Sequence, residues 1–156
     1  MDIKKIIIGI DDSKYAHHAA KYGFGIARKF NAALGLVNVI EPIVSPLDTS
    51  DSILGMPLAN VSSPEEVDLI NSQSTISERI IDRTINEFGA DLNVTHFSEY
   101  GSTAEGILQC ATEFGADLIV VGTHKRSGLD RFLMGDVAEG VVRHAKVPVL
   151  VVPFNE

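Results

Sequence analysis

Leu118-Ile119-Val120-Val121 is an unbroken apolar run, rich in β-branched residues, that leads into Gly122-Thr123-His124-Lys125. No polar residue alternates within it, so the pattern differs from that of a strand with one face in water. A short continuous run of this kind reads as a parallel strand covered on both faces. Two other runs share the pattern, Ile6-Ile7-Ile8-Gly9-Ile10 and Val149-Leu150-Val151-Val152. Weaker strand character covers Leu34 to Ile40 and Asn93 to Glu99.

Helical periodicity fills the intervals. Residues 13–30 place Ala16, Ala20, Phe24, Ala27 and Phe30 on one apolar stripe. Ser63, Pro64 and Glu66 form a helix-start signature, and Ile81, Thr84, Ile85 and Phe88 continue the helix beyond a polar stretch, Asn71 to Thr75, that leaves room for a break. Ser102-Thr103-Ala104-Glu105 is a second capping box, followed by Ile107, Leu108, Ala111 and Phe114. A last helix is expected from Asp136 to Ala145, with Asp136 as its N-cap and Pro148 preventing continuation. Strands alternating with helices predict an α/β domain, doubly wound around a five-stranded parallel sheet with right-handed crossovers. The 156 residues suit one domain, 1–156. Its one long irregular segment, 41–62, holds Pro42, Pro46 and Pro57 and is either a lid over a site or an insertion without one.

Composition narrows the function classes. A formal net charge of −8 disfavours attraction to nucleic acid or an anionic membrane surface. No apolar run approaches the roughly 20 residues of a membrane span. The single cysteine, Cys110, excludes an internal disulfide and a Cys-rich zinc site; at helical spacing from Ile107 and Phe114 it reads as a buried thiol. Met1 to Lys5 leads directly into a strand with no signal-peptide pattern, so the expected address is the cytoplasm.

In open α/β sheets, ligands sit beyond the carboxyl ends of the strands, where strand order reverses. The residues so placed are Asp11-Asp12-Ser13, Val39-Ile40-Glu41, Tyr100-Gly101-Ser102 and Gly122-Thr123-His124-Lys125. The last group runs through a charged stretch to Gly135-Asp136, which opens a helix. A glycine-flanked loop feeding a helix N-terminus suits phosphate. His17, His18 and His144 fall on helices and read as structural or solvent-facing; no histidine pair has metal-ligand spacing.

The stretch from Val120 to Glu139, with Gly122, Gly128, Gly135 and Asp136, resembles the signature of the universal stress protein family. Lys146-Val147-Pro148-Val149-Leu150-Val151-Val152-Pro153 is similar to that family's last strand, and Ile6 to Ser13 to its first strand and acidic turn. The resemblance implies a Rossmann-like fold of the adenine nucleotide alpha hydrolase kind, with strand order 3-2-1-4-5. It implies a stress-linked regulatory or protective module that binds ATP or another adenine nucleotide, with no catalytic residue assigned. Ile10 and Asp11 would meet the ribose or adenosine end, the Val39 backbone the adenine edge, and Gly122, Thr123, His124, Lys125, Gly135, Asp136 and Val137 the phosphates.

Nucleotide-binding members of the family carry Gly, two residues, Gly, nine residues, then Gly followed by Ser or Thr. Gly122 and Gly135 keep the first and last glycines, but Lys125 and Asp136 depart from the pattern. A lysine held in a left-handed conformation costs about 1–2 kcal/mol. A carboxylate about 4 Å from a phosphate charge is repelled by roughly 4 kcal/mol at an effective dielectric near 20, a factor on the order of 10³ in affinity. Either the nucleotide site is weakened, or Lys125 with a bridging Mg or Mn ion, present only with nucleotide, restores it and permits slow ATP hydrolysis.

A phospho-receiver on the same architecture is the rival reading. It lacks an acceptor aspartate in Ser98-Glu99-Tyr100, and Lys146 precedes the fifth strand where a receiver places its lysine after it. The family's strand order leaves Val149, Leu150, Val151 and Val152 on an edge, so a homodimer paired through the last strand is expected, beside a protein partner of unspecified identity.

Overall fold

Three consecutive isoleucines at the start of the chain divide themselves between two cores. Ile6 and Ile8 point to one face of the sheet and Ile7 to the other, and all three are fully buried. They belong to β1 (Lys5–Gly9), followed by α1 (Lys14–Phe30), β2 (Ala33–Ile40), α2 (Pro64–Phe88), β3 (Val94–Tyr100), α3 (Thr103–Phe114), β4 (Leu118–His124), α4 (Asp136–His144) and β5 (Val149–Phe154). The computed structural model describes residues 2–41, 64–124 and 135–154. The expected loop or lid at 41–62 lies, beyond Glu41, outside the described residues, as do Ser63 and Lys125.

The strands form one parallel sheet in the order β3-β2-β1-β4-β5. This is the doubly wound α/β class, and strand order reverses between β1 and β4. On one face, Ala20, Phe24 and Ala27 of α1 and Ile80 and Ile81 of α2 cover Ile6, Ile8, Leu34, Leu36 and Val120. On the other, Ile107, Cys110 and Ala111 of α3 and Ala138 and Val141 of α4 cover Ile7, Val37, Ile119 and Val121. The alternation buries Ile6 to Ile8 of β1 and Leu118 to Val121 of β4 between the two helical layers, which is why their sequence reads as continuous apolar runs.

Several elements differ from expectation for identifiable reasons. The helix across Asn71 to Thr75 does not break. Ser72 Oγ donates to Asp68 O at 2.8 Å and Thr75 Oγ1 to Asn71 O at 2.9 Å, so the polar side chains bond back onto their own helix. Phe30 ends the stripe of α1 but is 48% exposed, because the helix stops there on Asn31 in the left-handed conformation (φ 52°). β4 continues past Val121 to His124, so Gly122 sits within the strand, paired with Val152. β5 likewise runs on through Pro153, which an edge strand tolerates because its missing N–H need face no neighbour.

Candidate functional site

At the carboxyl end of β1 the chain is held by two hydrogen bonds to β2. Ile10 N donates to Val37 O at 2.9 Å, and the buried Asn38 amide donates to Ile10 O at 2.8 Å. Asp11 then closes a local turn by accepting from Ser13 N at 2.7 Å, and Ser13 Oγ caps α1 by accepting from Ala16 N at 3.1 Å. The neighbouring Asp12 takes no part in this cap. It reaches across to Arg83 of α2 at 2.7 Å.

The first turn of α1 lies directly over β4. A Cβ placed on Gly122 would come within 2.4 Å of Tyr15 O and 2.6 Å of Tyr15 C. Gly122 is therefore required by contact between two backbones, whatever binds nearby. One residue on, Thr123 Oγ1 accepts from Gly135 N at 3.3 Å, which brings the start of α4 back to the end of β4.

These contacts surround a cavity of about 270 Å³ at the point where strand order reverses. Ile10, Asp11, Val39, Gly122, Thr123, Gly135, Asp136 and Val137 all line it. The His124 side chain and Lys125 fall outside the described residues. Tyr100, Gly101 and Ser102 do not line the cavity; the following residue, Thr103, does, and its hydroxyl donates to Glu41 Oε1 at 2.5 Å. Gly9, Tyr15 and Ile107 also contribute to the wall without a sequence signal. Counting one residue further past the third strand would have reached Thr103, since a helix's first residue faces the same rim as the strand end before it.

Three helix N-termini face the cavity, through Tyr15 and Ala16 of α1, Thr103 of α3, and Asp136 to Ala138 of α4. The dipoles of helices beginning there favour negative charge. Asp136 is not the N-cap of α4. Gly135 takes that position with extended backbone, so the helix begins one residue earlier than a cap at Asp136 implies, and Asp136 meets the dipole from within the first turn. Ser102 occupies the N-cap of α3, yet its hydroxyl makes no cap bond. Asp11 and Asp136 are the charged side chains among the described residues of the lining, and none there is basic.

The other histidines lie elsewhere. His17 Nε2 meets Glu87 at 2.9 Å, His18 packs edge-on against Tyr22 and Phe154, and His144 Nδ1 contacts Gly140 O. Cys110 is buried, and that burial, with Glu99 and Glu113 nearby, pushes its thiol up to about 12. Among the described residues no group of three or more His, Cys, Asp or Glu side chains is placed to hold a metal ion. No described helix is long and apolar enough to cross a membrane.

Residues 2–153 match the universal stress protein family. A universal stress protein of Methanocaldococcus jannaschii is 35% identical over 149 residues, covering 96% of this chain and 81% of its own length. Among solved structures, a universal stress protein of Lactobacillus plantarum superposes with a TM-score of 0.71 at 22% identity, covering 97% of this chain and 99% of its own. A family member from Arabidopsis thaliana, solved with AMP bound, superposes with a TM-score of 0.66 at 19% identity, covering 97% of this chain and 92% of its own. At these identities the two structures bear on the fold.

Proposed function

The chain belongs to the universal stress protein family, and from that premise we propose that it is a stress-linked regulatory or protective module working through an adenine-nucleotide pocket, without turnover of its own. The observation that carries this reading is the convergence of Gly122 and Gly135, joined by Thr123, on the cavity at the strand-order reversal. Ile10 and Asp11 are assigned to the ribose end and the Val39 backbone to the adenine edge. Gly122, Thr123, His124, Lys125, Gly135, Asp136 and Val137 are assigned to the phosphates. The AMP seen in the Arabidopsis relative supports the ligand class.

The side chains fit the nucleoside end better than the phosphate end. The walls formed by Val37, Val39 and Ile107 are apolar, whereas Asp136 places a carboxylate where phosphate charge would fall. Affinity for ATP is accordingly reduced, and Mg or Mn enters only with a nucleotide. The acting form is a homodimer paired through β5, an edge strand whose outer backbone has no partner among the described residues.

Native mass spectrometry of the purified protein, followed by titration of labelled ATP without metal, tests the proposal. The expected result is a co-purifying adenine compound and an ATP affinity weaker than low micromolar. Low-micromolar ATP binding in the absence of metal overturns the reduced affinity, and failure of every adenine compound to bind overturns the function.

A further inference from the structure

Resting on the adenine-pocket reading, we infer that Asp136 makes the site select against phosphate, so that its preferred occupant is an adenosine with a neutral or positively charged 5′ group. Three backbone donors at this rim are already committed. Gly135 N–H is bonded to Thr123 Oγ1, Ser13 N–H to Asp11 Oδ1, and Ala16 N–H to Ser13 Oγ. At the first turn of α4, which also lines the cavity, the Asp136 carboxylate already answers the dipole. Glu139 adds negative charge to the same turn, though it is paired with Arg143 at 2.6 Å.

The walls agree with this selection. Asp11 and Asp136 give the described lining two carboxylates and no basic side chain. The Thr103 hydroxyl proton is given to Glu41 and so is not offered to a ligand phosphate. A volume of about 270 Å³ falls at the small end of ligand pockets, which run from roughly 300 to 1,000 Å³. A nucleoside suits that space better than a triphosphate.

The sign of the ligand's 5′ charge therefore decides affinity. A phosphate charge about 4 Å from the carboxylate would be disfavoured on the order of 10³-fold at an effective dielectric near 20. Asp136 is exposed, so solvent reduces this to an expected discrimination of about tenfold or more at low salt.

The test uses the full chain and four probes without divalent metal: 5′-amino-5′-deoxyadenosine, adenosine, AMP and ATP. Affinity measured by calorimetry should fall in that order. In Asp136→Asn the ATP-to-adenosine affinity ratio should rise at least tenfold, and added salt should shrink the gain. Asp136→Ser should do the same, so that a folding defect in one variant does not decide the matter. ATP binding more tightly than adenosine in the unaltered protein, or an unchanged ratio in both folded variants, overturns the inference while leaving the adenine pocket standing. No binding of any probe removes the pocket reading and the inference together.

Discussion

Gly135 and Thr123 are joined by a hydrogen bond from the Gly135 amide to Thr123 Oγ1 at 3.3 Å, across the gap between β4 and α4. Thr123 lies one residue beyond Gly122 on a strand pinned by β1 on one side and β5 on the other. The bond thus refers the start of α4 to the centre of the sheet. Thr123→Val removes the acceptor while keeping the shape, and is expected to lower stability by about 0.5–1.5 kcal/mol. Hydrogen exchange at the Gly135 amide should quicken selectively; unchanged protection there would show that the bond does not hold α4.

Gly122→Ala should be more damaging than its single methyl suggests. The new Cβ would meet Tyr15 O at 2.4 Å, and a backbone atom in a helix cannot rotate away. Overpacking of this kind costs about 1–3 kcal/mol. Gly25→Ala is the control, because nothing lies within 4 Å of its Cβ and it sits inside α1. Replacing a helical glycine with alanine gains about 0.5–1 kcal/mol. Urea unfolding should move in opposite directions for the two variants, and equal shifts would refute the backbone-contact reading of Gly122.

Acid should weaken the tie between α1 and the turn ahead of β3. Hydrogen bonding from Arg28 holds the Asp91 carboxyl down at about 2, from an ordinary 3.8. A depressed carboxyl contributes stability that is fully present above the ordinary value and is lost as pH falls toward the folded one. Asp91→Asn should therefore be less stable than the unaltered protein near neutrality. The difference between them should close between about pH 4 and pH 2. A gap that stays constant over that interval would exclude the linkage.

The dimer proposed through β5 has a direct readout in solution mass. Val149 and Val151 pack toward α4, while Leu150 and the buried Val152 pack toward α1, so the free feature of this strand is its backbone edge. Light scattering at micromolar concentration should report twice the chain mass. Leu150→Lys, which puts a charge on the half-buried face beside that edge, should halve it, and a retained circular dichroism spectrum separates lost pairing from unfolding. A monomeric unaltered protein would end the dimer proposal.

Local rules carried much of the fold. The β-branched runs at Ile6, Leu118 and Val149 became β1, β4 and β5 because continuous apolar character is what a doubly covered strand requires. Ser13 capped α1, and Asp136 opened α4. Such features depend on residues a few positions apart, and their chemistry is visible in the chain itself. The polar stretch of α2 left a break open, and the helix runs through it because Ser72 and Thr75 find partners within their own helix, an outcome that composition does not distinguish from a break.

The alternation of elements, the family signature from Val120 to Glu139 and the glycines at 122 and 135 were all readable in one dimension. Tertiary structure alone decided which residues share the cavity, because β1 and β4 become neighbours only when the sheet winds outward in both directions from its centre. That winding laid Tyr15 against Gly122, aimed Thr103 at the same rim, and spent the Gly135 amide on Thr123. Periodicity and capping are short-range and leave their mark in sequence, whereas contacts between residues a hundred positions apart depend on topology, which no local pattern records.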